Sequence, residues 1–165
     1  MNYIKLTETD ESLINDLSDL ASSIVREHYN PILGTEQNDY MIAKFQSPSS
    51  IKEQLSHSIS YYIVYTDDAE KAGFIAFYPR DNELYLSKFY LKKSQRGQGM
   101  ARQMMEFLIN EARKMGATSV TLNVNKHNDL AIAVYEKLSF HRIRSEKIDI
   151  GSGWYMDDYV YEYKL

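Results

Sequence analysis

The chain has 165 residues and a mass of 19.2 kDa, 44% hydrophobic and 25% charged, enough for one domain with a real core, expected to span residues 1–165. A mean hydropathy of -0.47 and the lack of any apolar run of about 18 residues speak against a helical membrane protein, and MNYIKLTETDESL has no secretory character, so a cytoplasmic protein with no membrane partner is expected. Without cysteine there is no disulfide, thiolate metal site or cysteine nucleophile; the four scattered histidines give no local metal site, and a net charge of -4 argues against a general nucleic-acid binder.

In chain order, Ile4 to Leu6 reads as a short strand, followed by a helix from Ser12 to Glu27 with Leu13, Leu17, Leu20, Ile24 and Val25 on one face. His28 to Ser58, punctuated by Pro31, Gly34 and Pro48, predicts one or two short helices around Tyr40 to Phe45 and Ile51 to Leu55. Three strands follow, Tyr61 to Thr66, Ala72 to Tyr78 and Glu83 to Leu91, joined by short turns as an antiparallel meander. In the third, the apolar phase moves from Leu84 and Leu86 to Phe89 and Leu91 across Ser87-Lys88, as a β-bulge would make it do, although Tyr85 obeys the later phase throughout.

Gly97 to Met115 is an amphipathic helix with Met100, Met104, Leu108, Ala112 and Met115 on its apolar side. Ser119 to Val124 alternates as a strand, Asp129 to Leu138 is a helix burying Ala131, Val134 and Leu138, and strands around Phe140 to Ile150 and Trp154 to Lys164 complete the chain. A strand, a crossover helix and a strand between Glu83 and Val124 imply a parallel pair, so the fold class is mixed α/β.

The stretch QRGQGMAR, Gln95 to Arg102, places Gly97 and Gly99 between a strand and a helix, with Lys92, Lys93, Arg96 and Arg102 nearby and no acid among them. Unpaired amides and the positive end of a helix favour an anion there, and glycines allow close approach and unusual backbone angles. A nucleotide P-loop would need Lys-Ser/Thr where Met100-Ala101 stands, and a dinucleotide fingerprint would need a small residue where Arg102 stands. A coenzyme A diphosphate remains.

These residues resemble the GNAT superfamily of N-acetyltransferases, whose acetyl-CoA signature Arg/Gln-x-x-Gly-x-Gly/Ala is filled by Arg96, Gly97, Gln98, Gly99, Met100 and Ala101. The strand ending in FYL and the downstream NDLAIAVYEKLSF, with Asn128, Ala131 and Tyr135 in an Asn-x-x-Ala-x-x-x-Tyr pattern, resemble it too. The resemblance implies a GNAT fold: a central mixed, mostly antiparallel sheet of about seven strands flanked by about four helices. It implies acetyl-CoA as cosubstrate, bound by Phe89, Tyr90, Leu91, Arg96, Gly97, Gln98, Gly99, Met100, Ala101, Arg102, Asn128 and Ala131; the absent cysteines and scattered histidines already lead to the expectation of no metal. Family members often dimerise, so a homodimer is an allowed expectation.

By the same resemblance a backbone N–H near Phe89 or Tyr90 is the oxyanion donor, and the Tyr135 phenol protonates the departing thiolate. Asn128, just before a helix, is also a good N-cap, and the two roles are compatible. A lysine-like amine acceptor is mostly protonated at pH 7, a deficit of about 4.6 kcal/mol, so a base is needed. Many relatives carry a glutamate where this chain has Ser87; Glu83, Tyr85 through water, His28 or an acid of the Asp157-Asp158 pair could substitute, and the sequence singles out none. Ser139 stands where the family usually has glycine, so it must bear strain or end the helix differently.

For the amine acceptor, a small molecule or a peptide, Tyr29, Tyr40, Tyr85 and Asp157 are the candidate contacts. The competing function is a catalytically idle CoA-binding module that keeps the turn without a base.

Overall fold

The computed structural model describes residues 1–165. Its elements run β1 (Asn2–Lys5), α1 (Glu11–Leu33), α2 (Thr35–Phe45), α3 (Pro48–Ser56), β2 (Ser60–Tyr65), β3 (Lys71–Arg80), β4 (Glu83–Leu91), α4 (Met100–Lys114), β5 (Ser119–Asn125), α5 (Asp129–Lys137), β6 (His141–Gly151) and β7 (Trp154–Lys164). The seven strands form one mixed sheet in the order β1-β2-β3-β4-β5-β7-β6. Five α-helices stand where about four were expected, because the segment before β2 divides into α2 and α3. The chain packs as two compact units, Met1–Tyr78 with Lys88–Met100, and Pro79–Ser87 with Ala101–Leu165.

In the first unit, α1 buries Ile14, Leu17, Leu20, Ala21, Ile24 and Val25. Leu6, Ile51, Tyr61, Ile63, Phe74 and Ala76 join most of these in one core. The helix runs six residues past its expected end, through Pro31. A proline in the last turn forfeits one backbone bond, and the Gly34 amide still reaches the Asn30 carbonyl at 3.0 Å. Gly34, at φ 81°, then closes the helix. Ser47 caps α3 by accepting from the Ser50 amide, and Pro48 occupies the first turn, where its missing N–H costs nothing.

In the second unit, β4 and β5 pair in parallel from Glu83↔Ser119 to Leu86↔Leu122, while β5, β7 and β6 are antiparallel neighbours. The α4 helix buries Met104, Met105, Leu108 and Ala112. Met115 does not extend that face: it lies past the last helical residue and is 45% exposed, and Met105 is buried instead. On α5 the buried residue is Tyr135, whereas Ala131, Val134 and Leu138 are only half-buried.

The change of apolar phase in β4 falls later than expected. Leu84, Leu86 and Lys88 are all buried in one unbroken phase, and the break comes at Phe89 and Tyr90, both half-buried, before Leu91 is buried again. Lys88 looks polar in sequence and so falsely marks the phase change one step early.

Candidate functional site

In the first unit β4 ends at Leu91, the Lys92 amide donates to the Ala72 carbonyl at 2.8 Å, and a single 3-10 turn, Lys93–Gln95, leads into the glycine turn. Gly97 and Gly99 have φ of 75° and 79°, the left-handed region where other residues are strained. Beyond each glycine and its flanking residues, no atom lies within 4 Å of where a Cβ would stand, so the turn faces open space. Arg96 folds back, its Nε and Nη2 donating to the Leu91 carbonyl at 3.2 and 3.1 Å, and the Gln98 side chain donates to the Ser94 carbonyl at 3.1 Å. Met100 is buried and starts α4, whose first turn carries no acid; Ala101 is half-buried and Arg102 exposed. A backbone cradle opens at an uncompensated helix N-terminus, a fit for a diphosphate.

The same unit holds Phe89, Tyr90 and Leu91. The Tyr90 ring lies between Phe74, stacked at 5.2 Å, and Tyr29 on α1, edge-on at 6.4 Å. His28 packs against Tyr29 at 4.9 Å. The Tyr90 carbonyl sits 2.1 Å from where a Cβ on Gly73 would be, so β3 carries a glycine where the irregular part of β4 leans in. Tyr40, on α2, has the Lys44 ammonium 5.8 Å from its ring.

In the second unit, the Asn128 side chain accepts from the Ala131 amide at 3.3 Å and caps α5, as expected. At the other end, Ser139 takes the glycine-like conformation at φ 70°. Its amide reaches Glu136 and the Phe140 amide reaches Tyr135, the paired bonds of a Schellman motif. The Phe140 ring packs on Tyr135 at 5.7 Å, so the strained serine helps hold the tyrosine in place.

The four places weighed for a base separate on geometry. Glu83 faces Arg80 at 3.5 Å, and His28 is engaged with Tyr29. The Tyr85 hydroxyl donates to Asn123 Oδ1 at 3.0 Å, and the Arg80 guanidinium covers its ring at 4.3 Å. Asp157 pairs with Lys126 at 2.9 Å, which holds its carboxyl below the usual range. Asp158 differs: it is 2% exposed, and burial, reinforced by the charges of Asp157 and Glu146, pushes its pKa up to about 6 despite an opposing bond from Asn123 at 3.4 Å. The Asn123 amide also donates to Glu146 at 3.0 Å, the first of the contacts that lower that carboxyl. One amide therefore joins two carboxylates whose shifts run in opposite directions.

Asn123 and Lys88 were not singled out in the sequence. Asn123 reads as one polar position of an alternating strand. Lys88 continues the inward phase of Leu84 and Leu86, the signal that a count of hydrophobic residues discards.

Residues 22–140, well over half of the chain, match the family model described as the acetyltransferase (GNAT) family. The chain belongs to this family. An uncharacterized N-acetyltransferase of Lactobacillus delbrueckii subsp. lactis, from the pepI 3′ region, is 24% identical to this GNAT chain over 163 residues, covering 92% of each. The uncharacterized N-acetyltransferase YdgE of Bacillus subtilis is 27% identical over 84 residues, 48% of this chain; the match spans only 54% of YdgE. The PaiA N-acetyltransferase of Thermoplasma acidophilum, solved in complex with coenzyme A, has the same fold, with a TM-score of 0.79 and 19% identity over the full length of both chains. No helix is long and apolar enough to cross a membrane.

Proposed function

We propose that this GNAT chain transfers the acetyl group of acetyl-CoA directly to a primary amine of a small molecule, polyamine or peptide. The observation that carries the reading is the turn itself: two glycines at positive φ, open above, at the head of a helix with no acid in its first turn. Acetyl-CoA supplies the activated acetyl thioester. The main-chain amides of Arg96, Gly97, Gln98, Gly99, Met100 and Ala101, with the exposed Arg102 guanidinium, hold its diphosphate, and the backbone of Phe89, Tyr90 and Leu91 lines its arm and donates to the developing oxyanion. Asn128 and Ala131 complete the cofactor contacts.

Tyr135 protonates the leaving sulfur, since a phenol with a reference pKa of about 10 is protonated at neutral pH and close enough to a thiol's roughly 8.5. Asp158 takes the proton from the acceptor ammonium. A group titrating at about 6 is largely ionised at neutral pH and still basic enough to accept a proton, a balance that Asp157, held low by Lys126, lacks. Tyr29, Tyr40, Tyr85 and Asp157 line the acceptor, and the acids among its surroundings favour a cationic amine.

Thiol release from acetyl-CoA, followed with a panel of polyamines, amino sugars and peptides, tests the reading. Turnover on at least one amine, lowered about a hundredfold or more in Tyr135→Phe, is the expected outcome. Tight CoA binding with no turnover on any amine would instead identify an idle binding module, the reading that Ser87 in place of a glutamate would favour.

A further inference from the structure

Lys88 lies one residue before Phe89 on β4, with its side chain turned inward and only 7% of the residue exposed. Its ammonium donates to the Phe45 carbonyl at 2.9 Å, Gln46 Oε1 at 3.1 Å, Gln54 Oε1 at 3.2 Å and the Tyr61 hydroxyl. These partners come from the last residue of α2, the corner after it, α3 and β2. They are also bonded to one another. Gln54 donates to the Phe45 carbonyl at 3.1 Å, Tyr61 donates to Gln54 Oε1 at 2.7 Å, and the Ser18 hydroxyl of α1 donates to the Gln46 carbonyl at 2.6 Å.

All four partners of the ammonium are neutral. A buried cation without a counter-charge is a costly way to fill space, and a methionine of similar length would fill the same volume without that desolvation. Packing therefore does not explain the lysine. What the amine does that a thioether cannot is gather acceptors at one point, tying the α2–α3 corner to the strand that continues into Phe89–Leu91. Every atom of this cage belongs to one compact unit, so the tie is local.

We propose that Lys88 is a positioning residue that couples the α2–α3 corner to the Phe89–Leu91 segment, so that a ligand held along Phe89–Leu91 also orders the corner. The proposal rests on the reading of Phe89–Leu91 as the acetyl-CoA contact. It makes the α2–α3 corner responsive to the acyl donor through one side chain.

Amide hydrogen exchange with and without coenzyme A tests it. In the wild type, coenzyme A should slow exchange at residues 89–100 and also, by about five- to tenfold, at residues 42–55. In Lys88→Met the protection at 89–100 should persist and that at 42–55 should vanish. Because the chain has no cysteine, Lys88→Cys can be alkylated while unfolded with bromoethylamine and refolded, restoring an ammonium of nearly the same reach. That product should regain protection at 42–55, a rescue that a packing role would not produce. Should neither variant fold, Gln54→Leu removes one acceptor of the cage and should weaken the protection at 42–55 alone. Undiminished protection at 42–55 in Lys88→Met, or none there in a wild type that is protected at 89–100, overturns the coupling. Absence of protection anywhere overturns the acetyl-CoA reading and the coupling with it.

Discussion

Each compact unit buries one ionisable group whose pKa is displaced toward neutrality, and the two are treated in opposite ways. Lys88, lowered by burial to about 7, is enclosed by acceptors from three directions, with Tyr61 beside it, whose hydroxyl burial pushes up. Asp158, raised by burial to about 6, is held by one long bond from Asn123 and stands beside two other acids. A buried group with every hydrogen bond made is suited to fixing geometry. A buried group left under-bonded keeps a lone pair for a proton. The contrast supports the two proposals, position for the lysine and proton transfer for the aspartate.

The largest expected effect breaks the comparison on the chemical side. Asp158→Asn should lower turnover on the best amine of the panel about a hundredfold, leave CoA affinity within about twofold, and remove the acid limb near pH 6 from the kcat/KM profile. A profile unchanged in Asp158→Asn returns the base to an unassigned group.

The positional side is sharpened by stability. Lys88 is depressed from 10.5 to about 7 in the folded chain, so the unfolded state binds more protons between those values and stability rises with pH there. Wild type should therefore gain about 2 kcal/mol on Lys88→Met between pH 7 and 9, measured by urea unfolding of both proteins at each pH. Asp158 has the opposite sign. Raised from 3.8 to about 6, it contributes stability at low pH that is lost as pH rises through 6, and Asp158→Asn should flatten that part of the curve.

Smaller effects are expected at two backbone positions away from these groups. In Gly73→Ala the new Cβ would stand 2.1 Å from the Tyr90 carbonyl, so β4 must shift; destabilisation of about 2 kcal/mol and weaker CoA binding are expected in denaturation and calorimetry. Ser139→Gly relieves a φ of 70° and should raise stability by about 0.5–1 kcal/mol, seen as a higher Tm.

Much of this architecture was legible in the sequence because it rests on periodicity and turn chemistry. The β4 and β7 ranges agree with expectation to the residue, and the glycine turn falls between β4 and α4 as foreseen. The Ser139 departure was legible as strain, and it appears as the αL residue of a complete Schellman motif. Less visible were the features that depend on neighbours distant in sequence. Lys88 and Asn123 acquire their meaning from α2, α3 and β2, and from β4, β6 and β7, and no local pattern encodes those meetings. Met115 misled because the helical repeat continues in the sequence past Lys114, where Gly116, at φ 71°, turns the chain away.

The most direct test of the central claim is a calorimetric titration of acetyl-CoA into wild type and Gly99→Val. Acetyl-CoA should bind the wild type and bind the variant at least about tenfold more weakly, because the backbone at φ 79° must distort and the side chain enters the space above the turn. Equal affinity in the two proteins, or no binding to the wild type, would contradict that claim.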